Sequence, residues 1–167
     1  MIPLVIARKP RCAGQDQRQR GMTLTELMIA VAIFAIIAAV GYPSYQQYLI
    51  DSNRTDAQNA LLAFSTAMER HRTDTNSYDN AQAGGTSYPN PPLSTIYPSQ
   101  APIDSGDKRY NLTIQTADNN GYTLRATPIA GTIQDGDGYL ELANTGIKSW
   151  DRDDNGAIGA GEATWTD

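Results

Sequence analysis

The feature that most constrains this chain is an uncharged, mostly apolar run over residues 27–42. Together with residues 22–24, this run is about long enough to enter the core of a bilayer, since a spanning helix takes roughly 20 residues. One acid, Glu26, lies near the start of the segment. A carboxylate at that depth costs about 2.5–3.5 kcal/mol on insertion scales, so Glu26 is a candidate functional residue. The alternative is an ordinary anchor whose acid lies at the level of the lipid headgroups.

Residues 1–20 contain five basic residues against one acid, Asp16. By the positive-inside rule, this bias keeps the N-terminus cytoplasmic and exports the chain after Val40. A secretory signal would have its small-residue cleavage site after the apolar run. Here the small residue, Gly21, comes before it. The five basic residues are Arg8, Lys9, Arg11, Arg18 and Arg20.

The junction between the basic leader and the apolar run reads Gly-Met-Thr-Leu-Thr-Glu at residues 21–26. It resembles the processing site of type IV prepilins, where Gly-Phe-Thr-Leu-x-Glu is usual; Met22 departs from the commoner Phe, and the leader is longer than most. The resemblance implies that leader 1–21 is removed by cleavage after Gly21, and that prepilin peptidase/methyltransferase N-methylates Met22. It also implies that Glu26 acts in assembly with other pilin subunits. The protein would then lie in the inner membrane before assembly and in an extracellular pilus afterwards.

The charge of the chain changes once the leader is set aside. The whole chain has 13 basic and 18 acidic residues and a net charge of −5; beyond the leader, eight basic and 17 acidic residues remain, a net charge of −9. Because nucleic-acid phosphates are bound by Lys and Arg, we expect no nucleic-acid partner. The single cysteine, Cys12, lies in the leader. An exported domain without a disulfide needs another source of stability.

Helical periodicity continues after the apolar run. Pro43 should kink the helix rather than end it, because apolar residues recur at three- and four-residue steps directly afterwards. This spacing persists to about residue 72. Residues 22–72 are therefore predicted to form one long helix, which is transmembrane or in the filament core up to about residue 42. Residues 73–107 are rich in Pro, Gly and Asn and predict a loop between this helix and the strands.

Alternating apolar residues predict β-strands within residues 108–167. Tyr110, Leu112 and Ile114 share one face of the first strand, and a second strand follows the turn at 118–121 and ends at Pro128. A third strand is predicted at 139–142 and a short fourth one at 147–150. The predicted fold class is α+β, with a long N-terminal helix packed on a three- to four-stranded antiparallel sheet.

The order of these segments resembles type IVa minor pilins of proteobacteria. The similarity rests on Tyr-Asn-Leu-Thr-Ile at 110–114, Gly-Tyr-Leu-Glu-Leu at 138–142 and Gly-Ile-Lys-Ser-Trp-Asp at 146–151. Such proteins commonly have one cysteine before the third strand and another near the C-terminus. In those places this chain has Asp-Gly-Asp-Gly at 135–138 and Ala-Thr-Trp at 163–165. The disulfide that the resemblance implies is therefore missing.

The tail contains a twelve-residue stretch, 151–162, that fits the calcium-loop pattern D-x-[DN]-x-[DN]-G-x5-E at every fixed place. Ca²⁺ takes six to eight oxygen ligands, and Gly156 permits the sharp turn that such a loop needs. We expect a calcium-binding loop that substitutes for the missing disulfide; the alternative is a plain acidic turn. The predicted ligands are the carboxylates of Asp151, Asp153 and Glu162, the Asn155 amide and the Ala157 carbonyl.

Three functions are compatible with these features. The first is a structural subunit of a type IV pilus, a minor pilin acting in pilus assembly, adhesion or twitching motility. The second is a calcium-binding pseudopilin of type II secretion, although Tyr-Pro-Ser-Tyr at 42–45 and Trp165 favour the pilus. The third, a DNA-uptake pilin, would need a basic stripe that the few dispersed Lys and Arg residues do not supply. We expect no enzyme, because no nucleophile–base pair is visible and His71 is the single histidine.

Overall fold

The computed structural model describes residues 21–85 and 87–166. Leader residues 1–20, with the five basic residues predicted to keep the N-terminus cytoplasmic, lie outside the described residues. One helix is followed by five short strands. The elements are α1 (Leu24–Thr75), β1 (Gln100–Ala101), β2 (Tyr110–Ala117), β3 (Tyr122–Pro128), β4 (Leu140–Ala143) and β5 (Lys148–Trp150).

The chain divides into two compact units, residues 1–40 and residues 41–167. The described part of the first unit is mostly the beginning of α1, where nearly every side chain is apolar and exposed. By length and composition, α1 qualifies as a helix that could cross a membrane. An exposed apolar surface of this extent marks contact with lipid or with another protein. We call the second unit the head.

Helix α1 runs through Pro43 and ends three residues beyond the predicted boundary, at Thr75. The residue after it, Asn76, has a φ of 61° and donates its backbone N–H to the Arg72 carbonyl at 2.7 Å. A left-handed Asn is a common way to end a helix, because it satisfies a carbonyl of the last turn. The predicted continuity across Pro43 is confirmed, and the kink stays a prediction.

The strands form one antiparallel sheet in the order β1-β2-β3-β4-β5. The predicted count of three to four strands was therefore wrong by one. The additional strand, β1, has only two residues, and Gln100 and Ala101 pair with Asn111 and Tyr110. A two-residue strand among prolines is too short to show alternation, so only its pairing with β2 defines it.

The core of the head lies between α1 and the inner face of the sheet. The predicted alternation in β2 is confirmed, because Tyr110, Leu112 and Ile114 are all fully buried. The buried face of α1 follows the predicted helical period. It consists of Ala57, Ala60, Leu61, Phe64 and Met68.

Candidate functional site

The segment that begins α1 forms a capping box. Glu26 accepts hydrogen bonds through Oε2 from the Thr23 backbone N–H at 2.9 Å and from the Thr23 hydroxyl at 2.8 Å. Its own backbone N–H donates to Thr23 Oγ1 at 3.2 Å. This reciprocal pattern satisfies free N–H groups at a helix start. The Thr-x-x-Glu spacing is also part of the processing motif, and its second role as a capping box is a finding of the structure.

The structure brings the two ends of the tail loop together. The Trp150 backbone N–H donates to the Glu162 carbonyl at 2.9 Å, which closes residues 151–162 into a loop. One carboxylate oxygen from each of Asp151, Asp153 and Glu162 lies within 4.8 Å of the others. Three of the five predicted ligands therefore surround one small volume.

Backbone amides hold the two end carboxylates of the loop in place. Asp151 is fully buried and accepts hydrogen bonds from the Asn155 N–H at 3.1 Å and the Gly156 N–H at 2.9 Å. Glu162 accepts from the Arg152 N–H at 2.9 Å and the Gly159 N–H at 2.6 Å. Each carboxylate oxygen can still offer a lone pair to a cation, because a carboxylate has about four acceptor sites.

The other two predicted ligands also lie in the loop. Asn155 donates its side-chain N–H to Asp153 Oδ2 at 2.7 Å, and its Oδ1 accepts from the Ala157 N–H at 2.9 Å. Gly156 has a φ of 86°, as the sharp turn requires. Coordination by the Asn155 amide oxygen and the Ala157 carbonyl stays a prediction.

The donor chemistry of this loop fits a hard divalent cation. Within residues 21–85 and 87–166, no Lys, Arg or His side chain forms an ion pair with Asp151, Asp153 or Glu162. Three anionic groups so close together repel one another unless a cation or a proton neutralises them. Oxygen-only donors with several carboxylates are the set that Ca²⁺ prefers.

A buried polar cluster, which sequence reasoning missed, lies beside this loop. Asp137 forms an ion pair with Arg54 of α1 and accepts hydrogen bonds from the Tyr110 hydroxyl at 2.7 Å and the Gln134 amide at 2.7 Å. The Arg54 side chain is only 11% exposed, although Arg54 lies outside the buried apolar face of α1. We call Arg54, Tyr110, Gln134 and Asp137 the Asp137 cluster.

Burial and charge act together on the ionisable groups of the Asp137 cluster. Burial raises the pKa of the Tyr110 hydroxyl, and the adjacent Asp137 carboxylate raises it further. Burial alone would lower the pKa of Arg54, but the hydrogen bond and ion pair with Asp137 outweigh it and raise that pKa. The Arg54 guanidinium and the Tyr110 hydroxyl therefore both keep their protons at neutral pH.

Gly138 allows the chain to pass close to the loop. Its φ is 69°, and a Cβ atom there would lie 1.6 Å from the Asp151 carbonyl oxygen. No other residue type can occupy this position without moving the backbone of the first loop residue. The Asp-Gly-Asp-Gly segment therefore brings Asp137 to α1 and places its last glycine against Asp151.

Trp165 occupies the second place where the resembling pilins have a cysteine. Its indole N–H contacts the Glu141 carbonyl at 3.1 Å and the Ser149 carbonyl at 3.0 Å, which ties the tail to β4 and β5. Its own carbonyl accepts from the Gln58 amide of α1 at 3.3 Å. Non-covalent contacts therefore hold the tail at a place where those pilins use a covalent link.

The basic residues of the sheet region each contact a neighbouring group. Lys108 donates to the Pro102 carbonyl at 2.7 Å, and Arg109 lies 3.6 Å from an Asp107 carboxylate oxygen. Arg125 pairs with Glu141 at 2.8 Å and stacks on Tyr139; Lys148 lies over the Trp165 ring.

The one histidine also has a structural contact. His71 Nε2 lies 2.9 Å from the Asp79 carbonyl oxygen, at the C-terminal end of α1. No serine or cysteine is hydrogen-bonded to it in the part of the chain that the structure describes.

Comparisons with known protein families agree with these features. A family model described as "Type IV minor pilin ComP, DNA uptake sequence receptor" matches residues 43–138. A second one, the prokaryotic N-terminal methylation motif, matches residues 16–42. The chain belongs to the type IV pilin family. The methylation motif implies processing by a prepilin peptidase, and the pilin relatives imply assembly with other pilins. By its length and composition, α1 could anchor such a chain in a membrane.

Two named relatives support the same family, and one solved structure is reported as similar. The chain is 35% identical to prepilin peptidase-dependent protein D of Escherichia coli K12 over 53% of its own length and 60% of that protein. It is 30% identical to fimbrial protein EcpC of Eikenella corrodens over 83% of its length and 85% of that protein. The minor pilin PilV of Neisseria meningitidis, a solved structure, aligns at 13% identity over 72% of this chain and 98% of its own, with a TM-score of 0.48.

Proposed function

We propose that this pilin is a minor subunit of a type IV pilus and acts in pilus assembly, adhesion or twitching motility. The observation that supports this most directly is the prepilin junction at residues 21–26, which leads straight into an exposed apolar helix and then into a separate compact head. Such a chain can lie in a membrane through α1 and later pack the same surface against the helices of other pilin subunits. Its N-terminus would face the cytoplasm, and the head would be exported.

The experiment that tests this function has two measurements. Mass spectrometry of protein from sheared filaments should find a methylated Met22 at the N-terminus, with the leader absent. Quantification of the same filaments should find this subunit far below a major pilin in amount. An assembled protein that retains residues 1–21 would contradict the proposal, and a subunit that dominates the filament would contradict the minor role.

We also propose that the loop 151–162 binds Ca²⁺. The proposal is supported by three converging carboxylates, one of them fully buried, and by the absence of an ion pair to them within the described residues. Calcium would offset two of the three negative charges of these carboxylates and link Asp151 to Glu162 across the loop. The alternative function, a calcium-binding pseudopilin of type II secretion, would have the same calcium loop but would assemble with secretion components instead of in a pilus. Co-purification with pilus filaments rather than with secretion components distinguishes the two.

A DNA-uptake receptor is the second candidate function. It is favoured by the description of the family model that matches 43–138. Two observations favour the pilus role without DNA: the net charge of −9 beyond the leader, and the neighbouring groups that each basic side chain of the sheet region contacts. The DNA-receptor function is tested by measuring the fluorescence anisotropy of duplex DNA with added protein at 50 and 200 mM salt. Saturable binding that weakens steeply with salt would support the receptor role.

A further inference from the structure

Trp150 connects the tail loop to the helix. Its backbone N–H holds the Glu162 carbonyl at 2.9 Å, and the next residue is the buried Asp151. On its other side, the indole N–H donates to the Asp137 carbonyl at 2.7 Å. The Arg54 guanidinium lies over the same indole ring, 4.0 Å from its centroid. One side chain therefore contacts both the loop and the Asp137 cluster.

The Asp137 cluster in turn attaches α1 to the head. Arg54 pairs with the Asp137 carboxylate, and the fully buried Gln134 donates to the Ile50 carbonyl at 3.2 Å. Gly138, which follows Asp137, lies against the Asp151 carbonyl. A displacement of Trp150 would therefore disturb the contacts of α1 at residues 50–54 and the two ends of the loop at once.

We infer that calcium occupancy of the loop and the attachment of α1 at residues 50–54 are coupled through Trp150. This inference rests on the proposed calcium binding. Arg54 and Asp137 position Trp150, and Trp150 positions Asp151 and Glu162, so an intact Asp137 cluster holds the end carboxylates at binding distance. Coupling between sites is reciprocal, so calcium strengthens the attachment of α1 by the same factor by which that attachment strengthens calcium binding.

Substitution of Arg54 separates this coupling from simple electrostatics. Arg54→Met removes a positive charge near a cation site and leaves Asp137 unpaired, and both changes would by Coulomb attraction tighten calcium binding. Coupling predicts the opposite, because the freed indole no longer holds the ends of the loop. We expect calcium affinity to fall fivefold or more, the lower end of typical coupling between sites.

A matched control lies on the same indole ring. The Arg152 guanidinium carbon lies 5.1 Å from the centroid of the Trp150 ring. The one hydrogen bond of the Arg152 side chain within residues 21–85 and 87–166 goes to the Thr166 carbonyl in the tail. Arg152→Met removes the same charge without touching the Asp137 cluster, so its calcium affinity should stay equal or increase. A second test variant, Trp150→Phe, keeps an aromatic ring and removes the hydrogen bond to Asp137. Its affinity should fall in the same direction as that of Arg54→Met.

The full chain in detergent micelles is titrated with calcium chloride, and calcium binding is measured by calorimetry and by tryptophan fluorescence. The chain has two tryptophans, Trp150 and Trp165, and both lie beside the loop. Near-ultraviolet circular dichroism in chelator shows that each variant is folded. Weaker binding in Arg54→Met and Trp150→Phe, but not in Arg152→Met, supports the coupling. Unchanged or tighter binding in the two test variants overturns the coupling and leaves the calcium loop intact. No binding by the unsubstituted chain at millimolar calcium overturns both.

Discussion

Glu26 has two separable properties, a charge and a pair of acceptor oxygens. The oxygens cap the start of α1 through Thr23. We propose that the charge acts in a filament core without water, where a carboxylate of one subunit and the N-terminal amine of another are each costly alone and are best neutralised together. Glutamine can replace glutamate in a capping box, so the two properties can be tested separately.

The first prediction concerns the Glu26 charge. Glu26→Gln should insert into the membrane normally, because loss of a carboxylate eases insertion, but its incorporation into pili should fall severalfold or be lost. The measurement is an immunoblot of sheared-filament and membrane fractions. Thr23→Ala is the matched control, since it weakens the cap by about 1 kcal/mol while keeping the charge, and it should assemble. Normal incorporation of Glu26→Gln would refute the assembly role.

The second prediction concerns Gly138. Gly138→Ala should destabilise the head by about 3 kcal/mol or more, because left-handed strain of about 1–2 kcal/mol is added to a clash with the Asp151 carbonyl. Gly136→Ala is the control: φ there is 83°, but nothing lies within 4 Å of the added carbon, so only the strain applies. Urea unfolding of both variants compares the two costs. Equal losses would mean that the close approach to Asp151 does not matter.

At the scale of elements, the tail depends on two kinds of contact. Trp165 ties the end of the tail to β4 and β5 without any metal. The two ends of the loop 151–162 are instead held by backbone hydrogen bonds around three acids. The missing disulfide therefore has a metal-independent replacement at one of its two places. For this reason, we expect removal of calcium to loosen residues 151–162 rather than to unfold the head.

The third prediction concerns calcium and thermal stability. At a calcium concentration one hundred times the dissociation constant, unfolding should cost about 2.7 kcal/mol more than in chelator. This is comparable with the 2–4 kcal/mol of a typical disulfide. The difference should disappear in Asp151→Ala and Glu162→Ala. Asp154→Asn should keep it, because Asp154 is exposed and Asn tolerates its φ of 51°. A midpoint that millimolar calcium leaves unchanged would mean that the loop is only a turn.

At the scale of the whole molecule, the hydroxyls of the buried residues Tyr110 and Tyr122 lie close to acids in the head. Burial raises the pKa of Tyr110 and of Tyr122, and the nearby carboxylates of Asp137 and Glu69 raise these pKa values further. The folded state therefore holds both protons more tightly than the unfolded chain, where tyrosine titrates near pH 10. Their contribution to stability is complete below about pH 10 and is lost as the pH rises above it.

The fourth prediction follows from the upward direction of these two pKa shifts. The urea concentration at the midpoint of unfolding should decrease as the pH rises from 8 to 11, because the unfolded chain releases protons that the head retains. Tyr110→Phe and Tyr122→Phe should each lose stability at pH 8 and show a shallower further decline up to pH 11. Tyr42→Phe is the control, since Tyr42 is 65% exposed. The pH dependence of that variant should match the unsubstituted protein; an equally steep decline in all variants would contradict the assignment.

The sequence by itself determined most features whose determinants are close together in the chain, although the capping box of α1 is a finding of the structure. The prepilin junction, the long helix, the alternation of β2 and the twelve-residue loop are local patterns, set by helical or strand periodicity and by ligand spacing. The structure confirms the helix and the alternation, and it brings Asp151, Asp153 and Glu162 together.

Only the tertiary structure decided which distant residues meet. Arg54 and Asp137 are 83 positions apart, and Gly138 contacts Asp151 because β4 and β5 pair. Strand β1 exists only through its partner β2. Periodicity shows which face of an element is buried, but the pairing of a buried charge depends on how two elements pack. A buried Arg54 is stable because Asp137 lies opposite it, and the position of Asp137 is set by the sheet rather than by its neighbours in sequence.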